Sequence, residues 1–253
     1  MSRINLRSSS FGDYCFGMYT KKDKKMFNDL YDIQEEFSWF QNSLMQYGTK
    51  HERHGIAEFV NWFGEMPENI LGEQVNLVVP VTEVMSISST PDGFCMEGNG
   101  LVEVKCTKTK KQAKPDFDAR WLPQIYGQML VVNQYYALKK IPKKIEKTFL
   151  VNWAEKSTKI YKVERNKQAI DLILSLLKHY GHTLRSVKEC VKDLPAYIDL
   201  TDEQKRSVLK MINEKYNEHF ILNLTNHGTE EMQHEIMEKA LKENVMLVYE
   251  SSV

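Results

Sequence analysis

The sequence has few cysteines, and their spacing excludes the common cysteine-based sites. The four cysteines stand at positions 15, 95, 106 and 190, with no C-x-x-C pair and no histidine nearby at zinc spacing. An iron–sulphur cluster would also require a tighter set of cysteines. This usage is typical of reduced thiols in an intracellular protein.

Long apolar runs and an excess of charge of one sign are also missing. No run reaches the roughly 18 apolar residues that span a bilayer, and the amino terminus lacks the apolar core of a signal peptide. We therefore expect no membrane partner and a cytoplasmic or nuclear location. With 34 basic and 34 acidic residues, the formal net charge is +0. Contact with nucleic acid would therefore depend on local basic patches.

Hydrophobic periodicity predicts a mixed core in the first part of the chain. It indicates helices over residues 23–47, ended by Gly48, and over 49–63 and 119–138. Segments rich in β-branched residues predict strands over 75–81, 84–89 and 101–107, and a strand hairpin over 147–153 and 157–163. The expected fold is α/β (α+β), with a mixed central β-sheet flanked by helices.

Beyond Asn166 the pattern predicts only helices. The first is expected to stop at Gly181, and Thr201 with Gln204 predicts a capping box at the start of the next. The last predicted helix covers residues 229–244. We therefore divide the chain into a core of residues 1–165 and a helical C-terminal extension of residues 166–253, packed on that core.

The most informative segment joins a tight turn to a polar-faced strand. Asp92 lies in a Pro-Asp-Gly turn, and Glu103 and Lys105 follow on an apolar strand. Because side chains alternate along a strand, Glu103 and Lys105 share one face. Two acids can hold a hard cation, and a lysine can orient water or stabilise charge on phosphate, as attack on a phosphodiester requires. The alternatives are that Asp92 only caps its turn, and that the strand is an edge strand with its polar face in water.

Two predicted helices carry further candidates. Glu52 lies on the apolar stripe of its helix, where it is either a third acid of a metal pocket or a boundary residue among polar neighbours. Gln124 and Gln128 lie one turn apart on a mostly apolar helix. Buried amides need hydrogen-bond partners. A nucleophilic water or a metal-bound carboxylate would serve, and so would ordinary groups of the core.

A basic tract follows the polar-faced strand directly. It contains Lys108, Lys110, Lys111 and Lys114, with no acid before Asp116. Phosphate contacts made by this tract would lie beside the candidate site. The alternative is a solvated loop with no such role.

Four parts of the chain resemble motifs of the PD-(D/E)xK nuclease superfamily. The similarity is to its viral recombination exonucleases, which include phage lambda exonuclease and the herpesvirus and baculovirus alkaline nucleases. The parts are residues 6–12 (LRSSSFG), 48–52 (GTKHE), 89–93 with 100–106 (STPDG and GLVEVKC), and 124–129 (QIYGQM). The family patterns are I-T-A-S-x-F-G, G-x-x-x-E, S-P-D-G with G-L-x-E-x-K-C, and Q-x-Q-x-Q before a hydrophobic residue.

The resemblance covers about residues 3–135 and departs from the family at two places. Tyr126 stands where many relatives carry a second glutamine, so the amide role falls mainly on Gln124. The family has a tryptophan and an arginine upstream of the serine motif, and Arg3 is only an approximate match for that arginine. The region after about residue 165 shows no match, so it implies no oligomeric state.

The resemblance implies a restriction-endonuclease-like core and a Mg²⁺- or Mn²⁺-dependent DNA nuclease. The expected activity is a 5′-to-3′ exonuclease on duplex ends, in recombination, replication or repair. The implied metal ligands are Asp92, Glu103 and the main-chain carbonyl of Val104, with Glu52 supporting a second ion. Lys105 and Gln124 would position the attacking water.

The expected partner is DNA, as duplex ends and a single-stranded product. The residues expected to contact DNA or phosphate are Arg3, Ser9, Lys108, Lys110 and Lys111. Two other functions stay open, namely a nucleic-acid-binding recombination scaffold without catalysis and an endonuclease that also cuts RNA. By family analogy alone, the helical extension is a candidate to bind a single-strand annealing protein.

Overall fold

The computed structural model describes residues 4–33, 38–67, 76–95, 99–108, 113, 116–196 and 199–252, and only the backbone of residues 219–227. Its strands are β1 (Ile4–Arg7), β2 (Leu77–Pro80), β3 (Met85–Ser89), β4 (Gly93–Cys95), β5 (Gly100–Cys106), β6 (Lys147–Ala154), β7 (Ser157–Glu164) and β8 (Val245–Ser252). Its helices are α1 (Phe11–Phe16), α2 (Lys22–Leu30), α3 (Trp39–Phe63), α4 (Leu122–Leu138), α5 (Lys167–Cys190), α6 (Asp202–His227) and α7 (Glu230–Asn244). Short 3-10 turns precede α1 and α4, at Ser8–Ser10 and Ala119–Trp121.

The strands form two sheets. In the three-stranded sheet the order is β1-β3-β2, with β1 parallel and β2 antiparallel to β3. In the five-stranded sheet the order is β4-β5-β6-β7-β8, and only the β5–β6 pair is parallel. A parallel pair needs a crossover, which α4 supplies between β5 and β6. The predicted mixed α/β fold with helices flanking a mixed sheet is therefore confirmed.

The five-stranded sheet buries apolar side chains on both of its faces. On β5, the Leu101 side chain belongs to the larger buried cluster, which includes apolar side chains of α4 and α5. Val102 and Val104 belong to a second cluster, formed with Ile56 and Phe59 of α3. This alternation follows from the period of two along a strand. The sheet therefore separates α3 from α4, and β5 presents a different set of side chains to each helix.

Helix α3 runs through Gly48, so the predicted helix end at that residue is wrong. A glycine inside a helix costs only about 0.5–1 kcal/mol relative to alanine, which a helix of 25 residues readily tolerates. Helix α2 ends earlier than predicted, at Leu30, and Asp32 beyond it has a left-handed φ of 52°. The single helix predicted over residues 23–47 is therefore wrong between Tyr31 and Ile33, and residues 34–37 lie outside the described part.

The C-terminal region differs from the prediction at two points. Helix α5 continues through Gly181 to Cys190, so the predicted helix end at Gly181 is wrong. The glycine lets the helix approach Met85 closely. A Cβ at Gly181 would lie 2.6 Å from Met85 Sδ. Strand β8 follows α7 and pairs with β7, so the prediction that only helices follow Asn166 is wrong.

The capping box and the last helix predicted for this region are confirmed. Thr201 and Gln204 form the capping box that begins α6, and α7 follows as predicted. The larger buried cluster contains side chains from before and after residue 165. The predicted division into two domains at that residue stays a prediction. Among the described residues, no helix has the length and apolar character needed to cross a membrane.

Candidate active site

The carboxylate of Asp92 is placed where the chain crosses between the two sheets. Strand β3 pairs in the three-stranded sheet and β4 in the five-stranded sheet. Pro91 lies between these two strands and has no N–H group to donate to a β-ladder hydrogen bond. Gly93 pairs with Val102 in an antiparallel register, so the preceding residue, Asp92, lies beside the part of β5 that follows Val102. There its Oδ2 accepts a hydrogen bond of 2.7 Å from the Val104 N–H.

Strand β5 places Glu103 and Lys105 on the face opposite Val104, as the sequence alternation predicts. Glu103 is only 4% exposed, so its charge requires compensation from nearby groups. Lys105 supplies part of it, because its Nζ lies 2.7 Å from Glu103 Oε1. The pair is therefore an inward-facing ion pair rather than the solvated face of an edge strand.

Helix α4 packs on the face of β5 that carries Glu103 and completes the polar cluster. Gln124 Nε2 donates to Glu103 Oε1 at 2.7 Å, and its Oε1 accepts from Lys105 Nζ at 2.9 Å. One turn later, Gln128 Nε2 donates to Glu103 Oε2 at 2.6 Å. Together with the bond from Lys105 Nζ, the two glutamine bonds fill three of the roughly four acceptor positions of the Glu103 carboxylate. Glu103 is therefore held in one orientation by three side chains.

The charges in this cluster act on one another. Burial lowers the pKa of Lys105, but Glu103 and then Asp92 outweigh this effect, so the pKa is raised above its usual value. Burial raises the pKa of Asp92 well above its usual value, and the carboxylates of Glu103 and Glu52 raise it further. The pKa of Glu52 is also raised, first by burial and then by Glu103. The four side chains therefore form one electrostatic unit of three carboxyl groups and one ammonium.

Cys106 marks the edge of this unit. Burial raises the pKa of its thiol to about 12, and the carboxylates of Glu52 and Asp92 contribute to the rise. The thiol therefore stays protonated near neutral pH. Cys106 lies on the α3 face of β5, next to the helix that carries Glu52.

The donor set fits a hard divalent cation. Repulsion between the carboxylates of Asp92, Glu103 and Glu52 is the interaction that a bound cation relieves. Within the described residues, no three His, Cys, Asp or Glu side chains are grouped to hold a metal ion by themselves. The Val104 carbonyl and water would have to complete the set, and Mg²⁺ commonly keeps several waters beside one or two carboxylates.

Comparison with protein-family models and with curated proteins finds no match for this chain. The motif resemblance to nucleases therefore stays a prediction.

The predicted phosphate-binding residues are only partly within the described structure. Ser9 is exposed in the turn before α1, and its neighbour Ser8 is buried, with its Oγ donating to Ser89 Oγ at 3.0 Å. Lys108 is exposed, and its Nζ donates to Ser43 Oγ of α3. The remaining predicted contacts lie outside the described residues, namely Arg3, Lys110 and Lys111.

Two groups near the cluster were not among the sequence candidates. The pKa of Tyr19 is raised, mainly by burial. The charges of Arg120 and Lys105 act in the opposite direction, so the Tyr19 hydroxyl lies near both cations. The guanidinium of Arg120 also lies over the Tyr19 ring, 5.3 Å from its centroid. No periodicity or motif marks this pair, because its members are about a hundred residues apart in the chain. Gln128 was visible as the partner of Gln124 one turn away.

Proposed function

We propose that this chain is a metal-dependent nuclease that hydrolyses DNA, acting 5′ to 3′ on duplex ends. The observation that carries the proposal is the convergence of Asp92, Glu103, Lys105 and Gln124 from three separate elements. A buried carboxylate held by two amides and an ammonium is a costly arrangement for a structural core. Strongly shifted acids beside a lysine are common at functional sites. A restriction-endonuclease-like identity for the core belongs to the same proposal.

Each residue has a stated role in this proposal. Asp92, Glu103 and the Val104 carbonyl would hold Mg²⁺ or Mn²⁺, with Glu52 beside a second ion. The bound metal would supply Lewis-acid stabilisation of charge on the phosphate. Lys105 uses two of its three N–H groups on Glu103 and Gln124, and the third can donate to a water or a phosphate oxygen. Gln124 holds the ammonium in place through its amide oxygen.

The direct test is cleavage of duplex DNA labelled at either the 5′ or the 3′ end. With Mg²⁺, the 5′ label should be released first as a small product, and chelation by EDTA should stop the reaction. Blunt, nicked and single-stranded DNA and RNA in the same assay distinguish an exonuclease from an endonuclease that also cuts RNA. Absence of cleavage on every substrate would contradict the proposal.

Calorimetric titration with Mn²⁺ tests the metal site without cleavage. Asp92→Ala removes a proposed ligand and should weaken Mn²⁺ binding by at least about tenfold, because even indirect supports of a metal site contribute that much. Asp171→Ala is the matched control, since Asp171 is exposed on α5 and paired with Lys167. Lack of Mn²⁺ binding by the unaltered chain would favour the scaffold alternative.

Gln128 should act as a positioning residue through Glu103. Gln128→Leu keeps a similar volume but removes the donor to Glu103 Oε2, so Mn²⁺ affinity should fall by about 10- to 100-fold. Gln168→Leu, at an exposed position of α5, is the control. A purely structural role would lower the urea midpoint and leave Mn²⁺ affinity intact, which would refute the assignment.

A further inference from the structure

Four aromatic and imidazole rings are assembled beside the candidate active site. Tyr47, His51 and His54 come from α3, and Trp153 comes from the end of β6. The His51 and His54 rings lie 5.4 and 5.3 Å from the Trp153 ring, at interplanar angles of 12° and 17°. The Tyr47 ring lies 4.1 Å from His51. We call these four residues the ring platform.

The platform depends on a close approach of α3 to the sheet. The three α3 rings follow one another at spacings of four and three residues, which puts them on one side of the helix. Gly55 continues this side, and a Cβ there would lie 2.5 Å from Val104 Cγ1 and 3.5 Å from Trp153 Cβ. Only a glycine lets the helix come close enough for its imidazoles to reach Trp153.

The platform lies on the α3 face of the sheet, whereas Glu103 and Lys105 lie on the opposite face, and the two are adjacent only at the ends of β5 and β6. On the sheet, Trp153 pairs with Cys106, the residue after Lys105. On the helix, His51 directly precedes Glu52. The charge of Glu52 also acts on Asp92, so a strand that passes the end of β5 from the cluster to the α3 face would reach these rings.

Three basic side chains lie near the platform. Lys50 and Arg53 are exposed on α3, on either side of His51 and Glu52. The Lys108 ammonium lies 5.9 Å from the Tyr47 ring centroid. Glu155, on the turn after β6, is the acid whose charge acts on His51 and Tyr47. Cations beside flat rings suit a ligand that is both anionic and aromatic.

We propose that the ring platform binds unpaired bases of single-stranded nucleic acid. Base–aromatic stacking tolerates any sequence, because every base has a π face, and basic residues follow the backbone. The rings keep part of their surface in solvent, with His54 exposed and the other three half-buried. Bases inside a duplex already stack on one another and cannot use the platform. The site would therefore hold a strand after separation of a duplex end, which rests on the nuclease proposal.

Binding in EDTA tests the platform without cleavage. A fluorescent oligothymidylate of about 12 nucleotides, within the usual site size, is compared by anisotropy with an abasic strand of equal length and charge. The unaltered chain should bind the oligothymidylate about tenfold more tightly, the value of one stacked base. His54→Ala and Trp153→Leu should lose this preference while binding the abasic strand as before.

Two controls separate stacking from charge and from folding. Arg53→Ala should weaken binding of both strands alike, because it removes a charge and no ring. His182→Ala removes an exposed histidine of α5 and should change neither. Circular dichroism verifies that Trp153→Leu folds, and His54→Ala alters only an exposed side chain.

Two results would overturn the platform proposal. One is equal affinity of the unaltered chain for the oligothymidylate and the abasic strand. The other is tighter binding of a blunt duplex than of the single strand. Because these measurements need no metal, cleavage with Mg²⁺ judges the nuclease proposal separately. A chain that cleaves but shows no preference for bases refutes the platform alone.

Discussion

Replacing Lys105 with alanine should slow DNA cleavage by about a hundred- to a thousandfold, the usual effect of losing one donor to developing charge. The ammonium lies between Glu103 and Gln124 and has one N–H left for the reaction. Alanine removes the charge and that donor together. Initial rates on labelled duplex DNA with Mg²⁺ measure the effect.

Two further variants make the Lys105 result interpretable. Lys105→Gln keeps a polar side chain beside Glu103 but removes the positive charge, so it should lose activity while retaining the fold. Lys167→Ala removes an exposed lysine of α5 that pairs with Asp171, and should cleave normally. Circular dichroism and urea denaturation verify that each variant folds. Cleavage by folded Lys105→Ala at the unaltered rate would refute the role of Lys105.

Gly55→Ala should lower the free energy of unfolding by about 1–3 kcal/mol, the usual cost of overpacking a filled core. The new Cβ would lie 2.5 Å from Val104 Cγ1, a β-branched side chain buried in β5. Helix α3 would have to move away from the sheet to relieve this contact. Urea denaturation measures the change.

Gly48→Ala is the matched variant on the same helix and should have the opposite sign. A Cβ at Gly48 meets no atom within 4 Å in the described structure, so alanine only improves helix propensity. The expected gain in the free energy of unfolding is about 0.5–1 kcal/mol. Equal destabilisation by both substitutions would show that the approach of α3 to β5 is not tight in solution.

Local features of the sequence predict part of the cluster correctly. Alternation along β5 is enough to put Glu103 and Lys105 on one face, because the side-chain period of a strand is two. Helical spacing is enough to put Gln124 and Gln128 on one side of α4. The capping box of Thr201 is equally local. Each of these depends on residues only a few positions apart.

The remaining features depend on partners far away in the chain. Gly48 and Gly55 both stand inside α3, yet only Gly55 faces a close neighbour. The sequence does not show which glutamine donates to which oxygen of Glu103, because that depends on how α4 packs against β5 after folding. Strand β8 was missed because its pairing with β7 spans most of the C-terminal region.

The mixed α/β class, most elements of the core, and the shared face of Glu103 and Lys105 all follow from patterns in the amino-acid sequence. The inward orientation of this face, where Gln124 and Gln128 bind the Glu103 carboxylate, follows from the packing of α4 on β5. The tertiary structure alone also brings Trp153 against His51 and His54. The physical reason is range, since backbone periodicity acts over a few residues. Burial and charge compensation depend on elements that meet only after the chain has folded.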